Sequence, residues 1–118
     1  MLRIGVVGPC AAGKTTLVQG LKAHGFTCHH IAQEHSYVPD MWQRLTNPDI
    51  LIYLEVSYPL TLVRRKLDWT EAEYQEQLRR LQHARQHADL VINTDPLSPQ
   101  EVLETALAFC RSFTSDQP

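Results

Sequence analysis

The stretch Gly8-Pro9-Cys10-Ala11-Ala12-Gly13-Lys14-Thr15-Thr16 carries the most specific chemistry in the chain. It reads G-x-x-x-x-G-K-T. Small residues between two glycines let a backbone turn aim its N–H groups at phosphate oxygens. Lys14 adds a point charge suited to terminal phosphates, and the Thr15 hydroxyl is placed to ligate Mg²⁺. A helix starting at this point contributes its positive N-terminal end. Every residue from Gly8 to Thr16 is therefore a candidate ligand contact, with Lys14 also catalytic and Thr15 also metal-holding.

Such a turn works only between a strand and a helix. Leu2 to Val7 is a short apolar run that reads as a buried strand, and Lys14 to His24 reads as a helix with Leu17, Val18 and Leu21 on one face. Gly25 stands where a helix stop belongs. Strand character returns at Phe26–Ala32, and a short helix is expected from Pro39 to Leu45, with Pro39 at its first position. Asp49 to Val56 is the clearest strand, apolar almost throughout, as expected when both faces are buried.

A helix is expected over Pro59–Leu67, with Leu60, Val63 and Leu67 as its stripe. Thr70-Glu71-Ala72-Glu73 forms a capping box that opens a helix to about His87, with Tyr74, Leu78 and Leu81 as its stripe. Ala88–Asn93 is the fourth strand. Ser98-Pro99-Gln100-Glu101 opens a last helix to about Phe113. Alternation of this kind predicts a three-layer α/β/α sandwich around a small parallel sheet of about four strands. Residues 1–113 form a single nucleotide-binding domain in this reading, and residues 114–118 a flexible tail.

In an open parallel sheet, ligands sit beyond the carboxyl ends of the strands. Asp49 and Asp89 begin strands and fall at the opposite edge. Glu34, Glu55, Asn93, Thr94 and Asp95 fall at the ligand edge. Glu34 and Glu55 compete to anchor the metal's water shell. Glu34 is favoured if the second strand adjoins the first, and Glu55 if the third does. Arg64 and Arg85 lie on core-facing stripes, where a charge is costly unless paired, and phosphate would serve as partner, with snorkelling or a carboxylate partner as the alternative. They are candidate catalytic residues, whereas Arg65, Lys66, Arg79 and Arg80 point elsewhere by spacing.

Neighbouring strand residues face opposite ways, so His29 and His30 cannot share a ligand, and Cys28, His29, His30 and His35 match no zinc spacing. His35, beside Glu34, is a candidate substrate contact. Trp42 and Trp69 are expected to pack, with a nucleobase cap or a lid as the alternative.

At 118 residues with a formal net charge of -2, the chain is sized for one domain and is not a general nucleic-acid binder. Cys10, Cys28 and Cys110, odd in number and widely spaced, suit a reducing cytoplasm. No signal-like or membrane-spanning run is read, so no membrane partner is expected.

Taken together, these residues resemble the P-loop NTPase superfamily, and within it the nucleoside/nucleotide-kinase-like group. Gly8–Thr16 matches the Walker A loop. Pro48–Pro59 is similar to the strand that precedes an arginine-bearing lid helix, and Arg64-Arg65-Lys66 through Arg85 to the lid region. Ala88–Asp95 is similar to the final strand near the adenine. The resemblance implies ATP and Mg²⁺ as ligands, with Thr15 and Glu34 around the metal and Lys14, Glu34, Arg64 and Arg85 around the transferred phosphoryl group.

The chain is shorter than typical members of the group. It lacks an Asp-ended Walker B strand and an acceptor-binding helical region. It also lacks an N-K-x-D base motif, since Asn93-Thr94-Asp95 has no lysine, and that favours ATP over GTP. An acceptor pocket would be small or completed by a second copy in a homodimer. The expected function is a small Mg-ATP-dependent kinase-like phosphotransferase or NTPase acting on a small-molecule acceptor. The alternative is a nucleotide-binding sensor or regulatory module with weak or no hydrolysis.

Overall fold

Four strands form an all-parallel sheet in the order β2-β1-β3-β4. They are β1 (Arg3–Val7), β2 (Thr27–His30), β3 (Ile50–Glu55) and β4 (Leu90–Asn93). Among the described residues, helices α1 (Lys14–Ala23), α2 (Met41–Leu45), α3 (Tyr58–Arg64) and α4 (Glu71–His87) connect them, and α5 (Pro99–Ser115) follows the last strand. A single 3-10 turn, Gln33–His35, follows β2. The structure is a computed structural model that describes residues 2–65 and 67–115. Lys66, placed by sequence in a lid-like basic run, lies outside the described residues.

The pleat of the strands sorts the core into two layers. Ile4, Val6, Ile50, Ile52, Leu54 and Ile92 face Leu17, Val18 and Leu21 of α1 and Val102, Ala106, Leu107 and Cys110 of α5. Val7, Leu51 and Tyr53 face the other way, toward Trp42 of α2 and Leu81 and Ala84 of α4. The continuous apolar run of β3 is explained by this double coverage, and its first five residues are all buried.

The strand starts are stitched by a repeated device. The Asp49 N–H donates to the Arg3 carbonyl at 2.8 Å, and its carboxylate accepts from the Arg3 N–H at 2.7 Å. Asp89 does the same to Leu51, with both distances 2.8 Å. These aspartates therefore stand at the edge remote from the glycine-rich turn, as their sequence positions predict.

Both capping boxes form. Thr70 and Glu73 exchange bonds at the start of α4, and Ser98 and Glu101 exchange bonds at the start of α5. Three expectations are corrected. Pro39 precedes the N-cap Asp40 rather than opening α2. The helix expected to reach Leu67 ends at Arg64, leaving Val63 71% exposed while Thr61 is buried. Thr61 is drawn inward by its hydroxyl, which donates to the Tyr58 carbonyl at 2.6 Å and accepts from Trp69 Nε1 at 2.9 Å. In the expected tail, Thr114 and Ser115 continue α5, and residues 116–118 lie outside the described residues. Among the described residues, no helix is long and apolar enough to cross a membrane.

Candidate functional site

The glycine-rich turn leaves β1 at Val7 and passes directly over the end of β3. A Cβ at Gly8 would lie 2.5 Å from the Leu54 carbonyl oxygen, so any side chain there forces the two strands apart. The turn is closed by the Ala12 N–H, which donates to the Pro9 carbonyl at 3.2 Å. Ala11 and Gly13 both adopt left-handed backbone, with φ of 69° and 94°. Backbone that changes hand in this way builds anion-binding concavities. Gly13 is also the N-cap of α1 and supplies no side-chain cap, so the helix presents its positive end uncapped by any side chain.

Lys14 is held inside this turn. Its Nζ donates to the Gly8 carbonyl at 2.6 Å, the Pro9 carbonyl at 3.1 Å and Glu34 Oε2 at 2.8 Å. Lys14 and Glu34 are 6% and 3% exposed, so this is a buried ion pair. Glu34 Oε1 has no hydrogen-bond partner among the described residues, although it is buried. An unpartnered buried carboxylate oxygen is costly and marks a place where a ligand would be stabilised.

The turn bearing Glu34 is fixed by Gln33, which is almost fully buried. Gln33 Nε2 donates to the Val38 carbonyl at 2.8 Å, and its Oε1 accepts from the Trp42 N–H at 2.8 Å. His35 stands at the rim, with Nε2 3.8 Å from Glu34 Oε2. The nearby His30 has its pKa lowered, first by partial burial and then by the Lys14 ammonium.

These residues open onto a cavity of about 900 Å³. Residues Cys10 to Leu17 form one wall, with Glu34, His30 and His35 beside them. Arg64 and Arg65 also line the cavity, and Leu67, Leu97, Pro99 and Val102 add apolar lining. Arg64 is braced by a fork: Nη1 donates to Thr94 Oγ1 at 2.8 Å and Nη2 to the Thr94 carbonyl at 2.7 Å. Thr94 Oγ1 in turn donates to the Glu55 carbonyl at 2.6 Å, which ties α3 to the ends of β3 and β4.

The structure thus gathers Lys14, Thr15, Thr16, Glu34 and Arg64 around one cavity. Arg85 is not among them. It pairs with Glu55 at 3.1 Å and lines a separate cavity of about 450 Å³ with Tyr53, Tyr74 and Arg79. The spacing that sets Arg85 beside Leu81 brings it to β3, where the Glu55 carboxylate supplies the partner expected from phosphate. Glu55, the alternative to Glu34, is occupied by that same pair and does not line the larger cavity. Trp42 and Trp69 both pack, with Trp42 Nε1 donating to His83 Nδ1 at 3.1 Å and Trp69 bound to Thr61.

Sequence reasoning missed two buried polar residues that shape the site, Gln33 and Gln77, while Thr94 stands at the ligand edge where its position predicts and is bonded to Arg64. Gln77 is bonded to Cys10, and Gln33 holds the turn that bears Glu34 through Val38 and Trp42. For Gln77 a signal exists, because it lies one helical turn before Leu81 and so falls on the buried stripe of α4. Of the run containing Cys28, His29, His30 and His35, Cys28 is buried in the core, while His30 and His35 line the cavity. A different set is brought together: ligand atoms of Cys10, Glu34 and His35 all lie within 4.8 Å of one another. No family model matches the chain, and no curated protein matches it.

Proposed function

We propose that this chain is a P-loop nucleotide-binding protein of the nucleoside/nucleotide-kinase-like kind, and that it moves the terminal phosphoryl group of Mg-ATP to a small acceptor. The observation that carries this reading is the buried Lys14 ammonium. It is pinned within a glycine-rich turn at the wall of a cavity that Arg64 and Arg65 also line. Bound Mg-ATP would supply the phosphoryl group and the divalent charge that draws its oxygens together.

The protein's own part is positioning and fixed charge. The Gly8 and Pro9 carbonyls and Glu34 hold the Lys14 ammonium in place, so little reorganisation is needed when negative charge develops nearby. The Thr15 hydroxyl and Glu34 Oε1 are the oxygens suited to the metal and its waters. The fit rests on the unpartnered state of Oε1 and on Thr15 lining the same cavity. Arg64, braced by Thr94, offers positive charge, and Leu97, Pro99 and Val102 offer apolar surface for a base.

A second reading, a sensor or regulatory module, is favoured by two observations. Arg85 is committed to Glu55, and the segment between β2 and β3 is consumed by the packing of Gln33 and Trp42 rather than shaping an acceptor pocket.

Thermal unfolding with Mg-ATP, Mg-GTP and Mg-ADP tests the reading. At about 100 times its dissociation constant a ligand adds roughly 2.7 kcal/mol. For a domain of this size, that raises Tm by roughly 10 °C. The shift should be largest with Mg-ATP and should vanish in Lys14→Ala. Thr15→Ala, at an exposed position, guards against a folding defect in the lysine variant. No shift with any nucleotide would overturn the proposal. A shift without ADP release in the presence of nucleoside and nucleotide acceptors would leave the sensor reading standing.

A further inference from the structure

We propose that Cys10, Glu34 and His35 form a binding site for one thiophilic divalent cation of the zinc type. The inference goes beyond nucleotide binding and does not rest on it. Mg²⁺ takes oxygen ligands in octahedral geometry, whereas a thiolate, an imidazole and a carboxylate are the ligand types of tetrahedral zinc sites that keep one position open.

Three observations converge. Ligand atoms of the three side chains lie within 4.8 Å of one another. Around tetrahedral zinc, ligand atoms stand roughly 3.2–3.8 Å apart, so a contraction of about 1 Å completes the set. The His35 side chain is 61% exposed and can supply that movement by rotation. Next, Glu34 Oε1 is buried and unpartnered while Oε2 is taken by Lys14, so in the nucleotide-free chain one carboxylate oxygen is available without breaking the ion pair, and the thiophilic cation would compete with Mg-ATP for it.

The third observation is the setting of Cys10. Gln77 Oε1 accepts from the Cys10 N–H at 3.0 Å, and Gln77 Nε2 donates to Cys10 Sγ at 3.2 Å. A donor aimed at sulfur fixes its direction, as partners outside the ligand set do in metal centres. Cys28 and Cys110 are buried in the apolar core and offer no competing ligand set.

On binding, the Cys10 thiol releases its proton to solvent and a metal–sulfur bond forms. The imidazole of His35 binds as the neutral base, Glu34 contributes Oε1, and solvent fills the fourth position. Lys14 keeps its two carbonyls and Oε2. The added divalent charge is met by the thiolate and by the share of Glu34 that Lys14 leaves unused.

Co²⁺ titration of the metal-free full chain, followed by absorption, tests the site. The expected result is a thiolate-to-cobalt charge-transfer band that saturates at one ion per chain and is bleached by Zn²⁺ but not by excess Mg²⁺. Cys10→Ser should abolish the band. His35→Ala and Gln77→Leu should each weaken cobalt binding by roughly tenfold or more, while His29→Ala, at an exposed position outside the cavity lining, leaves it unchanged. Circular dichroism checks that each variant folds. A folded wild type without the band would overturn the proposal, as would a band that persists in Cys10→Ser or an affinity indifferent to His35→Ala. Failure of nucleotides to stabilise the protein would not alter the cobalt spectrum, so the two readings fail separately.

Discussion

Gln77 of α4 grips Cys10 through both ends of its side-chain amide, accepting from the backbone N–H at 3.0 Å and donating to the sulfur at 3.2 Å. The contact joins residues 67 positions apart and anchors the glycine-rich turn to the long helix on one face of the sheet. It also satisfies an N–H that the turn itself leaves without a backbone partner.

Replacing Gln77 by Leu keeps the volume on the buried stripe and removes both bonds. The expected cost is about 1–3 kcal/mol, the range for orphaning a buried polar group. It should be read from urea unfolding as a lower midpoint at unchanged slope. A midpoint equal to wild type would mean that solvent replaces Gln77 at no cost.

The three thiols should separate chemically. Burial pushes Cys28 and Cys110 up to about 11, and in Cys28 the neighbouring Cys110 adds to the effect. Both are therefore inert near neutral pH, whereas Cys10 is half-exposed at the cavity wall. An aromatic disulfide reagent should modify one thiol per native chain and three after unfolding. Mass mapping should place the label on Cys10, and Zn²⁺ should slow the reaction.

Lys14 and Glu34 should behave as a unit. Glu34→Gln leaves the ammonium buried without its counter-charge, and Lys14→Met leaves the carboxylate so. Each is expected to destabilise the fold by about 3–5 kcal/mol, while the double variant loses much less than the sum. Additive losses in the double-mutant cycle would show that the two charges are screened from one another.

Stability should fall on acidification through His30. Its native pKa is lowered by partial burial and by Lys14, so below about 6.5 the unfolded chain takes up a proton that the native state resists. The contribution is complete above that value and is lost as pH falls through the lower native pKa. In His30→Ala the melting temperature should decline less steeply between neutral pH and pH 5. An identical slope would assign the acid sensitivity to other groups.

Local signals proved legible where the chemistry is local. The glycine-rich turn, both capping boxes and the doubly buried β3 could each be read from neighbouring residues. The choice between Glu34 and Glu55 could not, because it was framed on which strand adjoins β1, and both β2 and β3 do. What separates them is the 3-10 turn after β2, held by Gln33, which brings Glu34 to Lys14. The misplaced Arg85 has a similar origin. Helical spacing set it toward the sheet and left phosphate or a carboxylate as its partner, but could not say that the carboxylate would be that of Glu55 on β3. Val63 was misjudged because apolar spacing in a helix as short as α3 does not determine which face meets the core.

Asp49 and Asp89 divide the labour between the two ends of the sheet. Each closes a small ring with the strand beside it, through its own N–H and its carboxylate, so alignment is set before the strands reach their carboxyl ends. A slip by one residue would break both bonds of a ring at once. The opposite rim thereby shares the work of keeping β1, β3 and β4 in step rather than carrying it alone. Loops there can lengthen, shorten or exchange residues over evolutionary time without misaligning the strands, which makes that rim the natural place for new chemistry to be tried on an unchanged frame.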